Sequence, residues 1–274
     1  RSASADGLLY GMSPTFSSEA LFYNKALFQA AGIDAPKDGM NWFDLLRLAE
    51  ELHDEEHAGL AVSGGFLHLA YKIAGADGLD PWDVTGKQSA FLQEGWQQIW
   101  EEVIRLANSG AAVVDMGQDP FGNGKAAMTL NYSYYADRLG VRVDWDVAEL
   151  PAGLESGAGS GVVANGIFAI LADSENKELA WKYLEFLHGR EFAESLEPSM
   201  SEFPALLAVM PDGSGKNLSA FYAGSGERQP AVRERPLYPV DESVWISGGF
   251  YMAYSEAVNA EFNAALRGTK SVAE

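Results

Sequence analysis

Apolar positions recur along this chain in alternating strand-like and helix-like rhythms, and the order of those rhythms predicts the fold class. The run Ala20-Leu21-Phe22-Tyr23 reads as a strand or as the opening of the helix that follows. Asn24-Lys25 opens a short amphipathic helix with Leu27, Phe28 and Ala31 on one face, and Gly32 ends it. Pro36 follows, and a second helix is expected over 41–56, where Trp42, Leu45, Leu46, Ala49 and Leu52 recur at threes and fours. Gly59–Val62 predicts a short buried strand, closed by Ser63-Gly64-Gly65. A helix over Phe66–Ala74, broken at Gly75 and Gly78, comes next. A strongly amphipathic helix over Trp96–Ala107 follows, with Gly110 as its stop.

Ala126–Leu130 reads as a buried strand that opens onto Tyr132, Tyr134 and Tyr135. Further strands are expected at Trp145–Leu150 and Asn165–Leu171, separated by a Gly/Ser-rich loop over 152–161. Asp173-Ser174-Glu175-Asn176 reads as the cap of a helix over Lys177–His188. Gly189 stops that helix, and Glu191–Leu196 begins another. Residues 211–236 are rich in Gly, Pro and charge and read as surface structure, and a last helix runs from about Gly249 to Leu266. Strands alternating with helices argue for an α/β fold. No internal repeat or low-complexity tract stands out.

Length and charge narrow the function. A chain of 274 residues with 47% hydrophobic content can bury a large core in one or two domains. The formal charge is −20 with scattered basic residues, so a nucleic-acid partner is not expected, because phosphate binding needs a basic footprint. Zero cysteines exclude disulfides, thiolate nucleophiles and Cys-ligated zinc. No run of 18 apolar residues and no leader-like opening segment is visible; Arg1–Ala5 is small and polar and reads as a cut site.

The stretch Thr15–Leu48 resembles the crossover signature of extracellular solute-binding protein family 1, the sugar-binding components of ABC importers akin to maltose-binding protein. Its marks are a polar run at Phe16-Ser17-Ser18, then Tyr23-Asn24-Lys25, Leu27-Phe28, Ala31-Gly32, Pro36 and Trp42. Four further stretches follow in family order. Ala126–Asn131 resembles its GxxAMxxxG strand, and Leu150-Pro151 before glycines resembles its LPGG loop. Asp173–Leu187 resembles SKNKELAWKFLKFL, and Ala264–Glu274 resembles the GxxSVEEAL ending.

The resemblance implies an α/β fold of the type II periplasmic-binding-protein kind, two lobes joined by a hinge, with the first lobe incomplete. Residues 1–14 would end the first lobe, 15–162 would form the second, 163–220 would return to the first, and 221–274 would rejoin the second. The family reaches its crossover only after an opening lobe, so the chain is expected to be a truncation, a proteolytic fragment or one of two pieces. Segment 163–220 would then lack sheet partners, and unpaired edges and exposed apolar faces are costly.

The resemblance further implies a binding module with no catalytic residues, no cofactor and no metal. It would be a monomer that takes a carbohydrate ligand and meets the membrane permease of an ABC importer. Its location would be extracytoplasmic, in the periplasm or lipid-anchored on the outer face of the cytoplasmic membrane. Sugars are held by flat aromatic rings and a polar rim in a cleft that closes on a hinge.

Tyr134 is the first stacking candidate, with Tyr132 and Tyr135 behind it; each ring is equally at home as core filler with a satisfied hydroxyl. Ser17 stands where the family's crossover presents a polar side chain to ligand, or else it bonds within the hinge. Gly64, Gly65 and Phe66 follow a strand end, where open α/β sheets place ligands. Asn131 could donate to a sugar hydroxyl or simply end its strand. Trp245 and Tyr251 stand where the family closes its sugar stack.

Two other functions compete. Adjacent Tyr134-Tyr135 could supply phenolate oxygens to ferric ion in a metal receptor of the same architecture. A hydrolase is the third reading, and its motifs fail in context. His53-Asp54-Glu55-Glu56-His57 has the H-x-x-E-H form of a zinc peptidase but sits at a charged helix end. Gly159–Ala164 fits G-x-G-x-x-A but leads into a strand-like run rather than a helix. Gly213–Lys216 lacks the leading glycine and the Ser/Thr of a phosphate loop.

Overall fold

A computed structural model describes residues 4–5, 8–81, 89–153, 161–196, 202–206, 208–209, 215–225 and 249–273. Strands β1 (Ser4–Ala5) and β2 (Leu8–Leu9) form a two-residue antiparallel pair. Strand β3 (Thr15–Ser17) and strand β4 (Glu19–Asn24) follow, separated only by Ser18. They belong to different sheets, so the chain changes sheet at a single residue.

Helix α1 (Lys25–Ala31) starts as the sequence predicts, because Asn24 Oδ1 accepts from the amides of Ala26 and Leu27 at 3.0 and 3.4 Å. Gly32 ends it at φ 70°, a left-handed cap that a side chain would resist. Helix α2 (Trp42–Leu52) is capped by Asn41, whose Oδ1 accepts from the Asp44 amide at 2.9 Å. It stops at Leu52, short of the expected 56. Asp54 Oδ1 instead accepts the amides of Glu56 and His57 and closes a turn. His53 and His57 therefore share no helix face, and the zinc-peptidase spacing loses its geometry.

The rest of the larger unit comprises β5 (Ala58–Ser63), α3 (Phe66–Ala76), α4 (Glu94–Ser109), β6 (Ala112–Asp115), β7 (Ala126–Tyr132), α5 (Tyr135–Leu139) and β8 (Trp145–Ala148). Its five-stranded sheet has the order β6-β5-β7-β4-β8. β5 runs parallel to β6 and β7, while β4 pairs antiparallel with β7 and β8. Both faces are covered, and alternation within β4 shows how. Leu21 and Tyr23 join Leu60, Val62, Met128 and Leu130 beneath α2, α3 and α4. Ala20 and Phe22 turn the other way, toward Phe121, Tyr135, Trp145 and Phe221. Gly59 is required at the first interface: a Cβ there would lie 1.8 Å from the Ala49 carbonyl oxygen of α2.

A second, three-stranded sheet orders β10 (Phe203–Pro204), β3 and β9 (Val163–Ala164). Helices α6 (Lys177–Leu187) and α7 (Arg190–Ser195) lie between β9 and β10 in sequence. The expected strand over Asn165–Leu171 shrinks to the β9 pair and one bridge, Met12 to Phe168. β9 lies at the edge of its sheet, and in the segment after it Ile167, Phe168 and Leu171 are exposed.

A 3-10 segment, Leu218–Ser225, corrects the reading of 211–236 as surface, because Leu218, Ala220, Phe221 and Tyr222 are buried in the second core. Asn217 N donates to Asp146 Oδ1 at 2.8 Å, so residues 215–220 already sit on the larger unit, ahead of the expected return at 221. Helix α8 (Gly249–Leu266) closes the chain and sends Phe262 into the first core. β6 and α5 had no clear signal in the sequence, because each is five residues or shorter.

Candidate functional site

Parallel β5 and β7 end side by side, and the first residue of β4 lies opposite Tyr132 in register. Three strand ends therefore meet at one edge of the larger sheet, the place where open α/β sheets form their crevices. After Ser63 the chain turns through Gly64 at φ 77° and Gly65 at φ 87°, two consecutive left-handed residues that only glycine adopts freely. That turn starts α3 immediately and brings His68 and Lys72 over the strand ends. Ser133 N donates to Ser18 O at 2.8 Å and ties the end of β7 to the sheet-changing residue.

The result is a cleft of about 270 Å³ lined by Glu19, Ser63, Gly64, His68, Lys72, Asn131, Tyr132 and Tyr134 over an apolar floor of Val62, Leu69 and Leu130. The rings of Tyr132 and Tyr134 stack at 5.6 Å with 13° between planes. Tyr134 is nearly half exposed, so this stack offers a flat aromatic wall. Beside it, on the neighbouring strand, both carboxylate oxygens of Glu19 accept from Lys72 Nζ. Burial, then the Glu19 charge, pushes the Tyr132 hydroxyl up and keeps it protonated. Burial, then the neighbouring Lys72 ammonium, holds His68 below its ordinary value and so neutral near pH 7. The cleft therefore combines one aromatic wall, one internally balanced ion pair and several neutral hydrogen-bonding groups.

The residues expected from the sequence divide. Asn131 and Tyr134 line the cleft. Gly65 caps α3 and Phe66 is its first residue, half-buried against the core beside the cleft. Ser17 lies on β3 and donates to Asn165 Oδ1 at 2.9 Å, which couples the two crossings of the three-stranded sheet. Tyr135 is a correction. It is buried in the second core, edge-on to Phe22, with its hydroxyl donating to Asp119. It cannot share a ligand with Tyr134. Trp245 lies outside the described residues, as does the side chain of Tyr251 on α8.

Sequence reasoning missed Glu19, Ser63, His68 and Lys72. A signal existed for two of them. Glu19 is the only charged residue of its strand, and Lys72 the only one of its helix. Among the described residues no group of three metal-ligating side chains converges. No helix among them is long and apolar enough to cross a membrane.

The architecture is that of two-lobed periplasmic binding proteins. A Listeria monocytogenes ABC substrate-binding protein in complex with cycloalternan superposes with a TM-score of 0.67 at 23% identity, covering 99% of this chain and 70% of that one. The GacH receptor of Streptomyces glaucescens gives 0.64 at 21% identity, covering 100% and 70%. Maltose-bound MalE3 of T. maritima gives 0.60 at 17%, covering 99% and 71%.

The sequence decides the family. The profile of the bacterial extracellular solute-binding proteins matches residues 3–193, and the chain belongs to that family, whose members bind solutes rather than transform them. A Brucella abortus binding protein is 25% identical over 202 residues, 68% of this chain and 48% of that one. The chain thus spans about half the length of the curated relatives it matches.

Proposed function

We propose that this chain is the sugar-capturing receptor of an ABC importer, acting outside the cytoplasm in the periplasm or on a lipid anchor, and handing a mono- or oligosaccharide to a membrane permease. The observation that carries the reading is the stacked Tyr132–Tyr134 wall in one cleft with polar groups at three converging strand ends. Pyranose rings present apolar C–H faces and a hydroxyl edge, and such a cleft answers both. Structural relatives described with cycloalternan and maltose point the same way.

Tyr134 and Asn131 are the proposed contacts, with Gly65 and Phe66 shaping the rim. Ser17 is placed in the hinge, where its bond to Asn165 links the two crossings. Trp245 and Tyr251 remain the proposed contributions from the chain's last segment. In this reading residues 19–153, 215–225 and 249–273 form one lobe, and strand β3, residues 163–196 and strand β10 belong to the other.

The ferric alternative weakens, because Tyr135 points into the core and leaves Tyr134 without its neighbouring phenolate. A thermal-shift screen against neutral mono- and oligosaccharides, with ferric citrate alongside, tests the choice. One saccharide class should raise the midpoint, and Tyr134→Ala should abolish that rise. A silent saccharide panel with a response to iron would overturn the proposal.

A further inference from the structure

The Glu19–Lys72 ion pair is unusual for its place. Glu19 is the one charged residue of its strand, and its side chain is only 10% exposed, with that of Lys72 at 24%. A pair this shielded costs desolvation, and apolar residues of similar volume would serve packing as well or better. Its position, however, is the cleft lining, where Glu19 is the cross-strand neighbour of Tyr132 and so adjoins the Tyr132–Tyr134 stack.

We propose that Glu19 and Lys72 are the specificity-determining couple of this cleft and select an uncharged sugar, gripping hydroxyls at its polar edge. This rests on the sugar reading above and deepens it. The ammonium has three donors, and a chelating carboxylate occupies two of them. The third N–H is available to a sugar hydroxyl oxygen. Each carboxylate oxygen keeps a lone pair that can accept from a hydroxyl. A sugar with adjacent hydroxyls can therefore accept from Lys72 and donate to Glu19 without separating them.

Charged partners make the stronger class of hydrogen bond, so the couple outweighs the neutral groups around it. It also rejects by sign. A uronate or phosphorylated sugar would set its anion against Glu19, whose counter-charge Lys72 already supplies. An amino sugar would set its ammonium against Lys72. His68, neutral, and the protonated Tyr132 hydroxyl add no charge that could compensate. The lining is balanced as it stands, and a charged ligand would unbalance it.

The test is titration calorimetry with glucose, maltose, glucuronate and glucosamine on the wild-type chain, Glu19→Gln, Lys72→Met, and the double change Glu19→Met with Lys72→Met. The wild type should bind a neutral sugar and disfavour both charged ones. Each single change should weaken neutral-sugar binding by about tenfold to a hundredfold, the range that loss of a charge-assisted bond implies. Lys72→Met should also shift preference toward glucosamine, because the bared carboxylate then seeks an ammonium. A merely structural pair would not move that preference.

The double variant keeps charge balance and packing, so its thermal midpoint should hold while binding falls. Neutral-sugar affinity unchanged in the double variant, or a wild type that prefers glucuronate or glucosamine, would overturn the inference and leave the sugar reading intact. Silence of the wild type toward every sugar would sink both together.

Discussion

Helices α4 and α6 carry comparable apolar patterns and meet opposite fates. In α4, Trp96, Ile99, Val103 and Leu106 are all buried, held under α2 and α3 against the five-stranded sheet. In α6, Leu184 and Leu187 are buried, but Leu179, Tyr183 and Phe186 form a second row that is 68%, 55% and 46% exposed. Trp181 is exposed as well and makes only a local bond to Glu185. Periodicity states what a helix face can bury, while burial itself requires a partner surface. The five-stranded sheet supplies one on each side. Among the described residues Phe192 of α7 meets that outer row edge-on at Phe186, and Leu179 and Tyr183 stay open to solvent; open apolar rows of this kind commonly mark association surfaces. The same contrast separates the two sheets: β4 pairs with β7 over five residues and with β8 over four, whereas β9 pairs over two.

Mutations should divide along this difference. The largest effect is expected at Gly59, where any side chain would overlap the Ala49 backbone. Gly59→Val should abolish the cooperative thermal transition, read by circular dichroism. Phe22→Ala should follow, at about 3–5 kcal/mol in denaturant unfolding, because it removes a fully buried ring touching four other aromatics.

Tyr135→Phe should cost about 1.5–3 kcal/mol, by stripping a hydrogen bond from the shielded Asp119 carboxylate, and should leave ligand binding unchanged. Burial alone would raise the Asp119 carboxyl. The bonds from Tyr135, the Gly122 amide and Arg142 outweigh it and hold the group below its ordinary value. Its contribution is therefore complete above about pH 4, the unfolded value, and fades as pH falls through the lower folded value. Asp119→Asn should narrow its gap to the wild type over that acid limb, measured by unfolding at stepped pH.

The smallest effect on stability is expected on α6, where Leu179→Ser and Tyr183→Ser should each stay within about 0.5 kcal/mol. The same pair should reduce binding of a hydrophobic dye. A loss of stability as large as at Phe22 would mean the outer row of α6 is covered, and the comparison would collapse.

The order of alternating runs from Ala20 to Leu266 was enough to read an α/β chain, and the Thr15–Leu48 signature with four later stretches carried the family resemblance. Caps such as Asn24 and Gly32 were legible too, because a helix end is decided by neighbours in sequence. Asn131 and Tyr134 could be named as cleft candidates because they follow a strand end.

Tertiary structure decided the rest. Tyr134 and Tyr135 are adjacent and chemically identical, yet one faces the cleft and the other a core, because the chain turns into α5 between them. Glu19 and Lys72 are 53 residues apart and meet only where β4 and α3 converge. Local sequence carries backbone preference and periodicity. Which faces are covered, and which charges meet, depends on contacts between elements distant in the chain, and no local pattern encodes those.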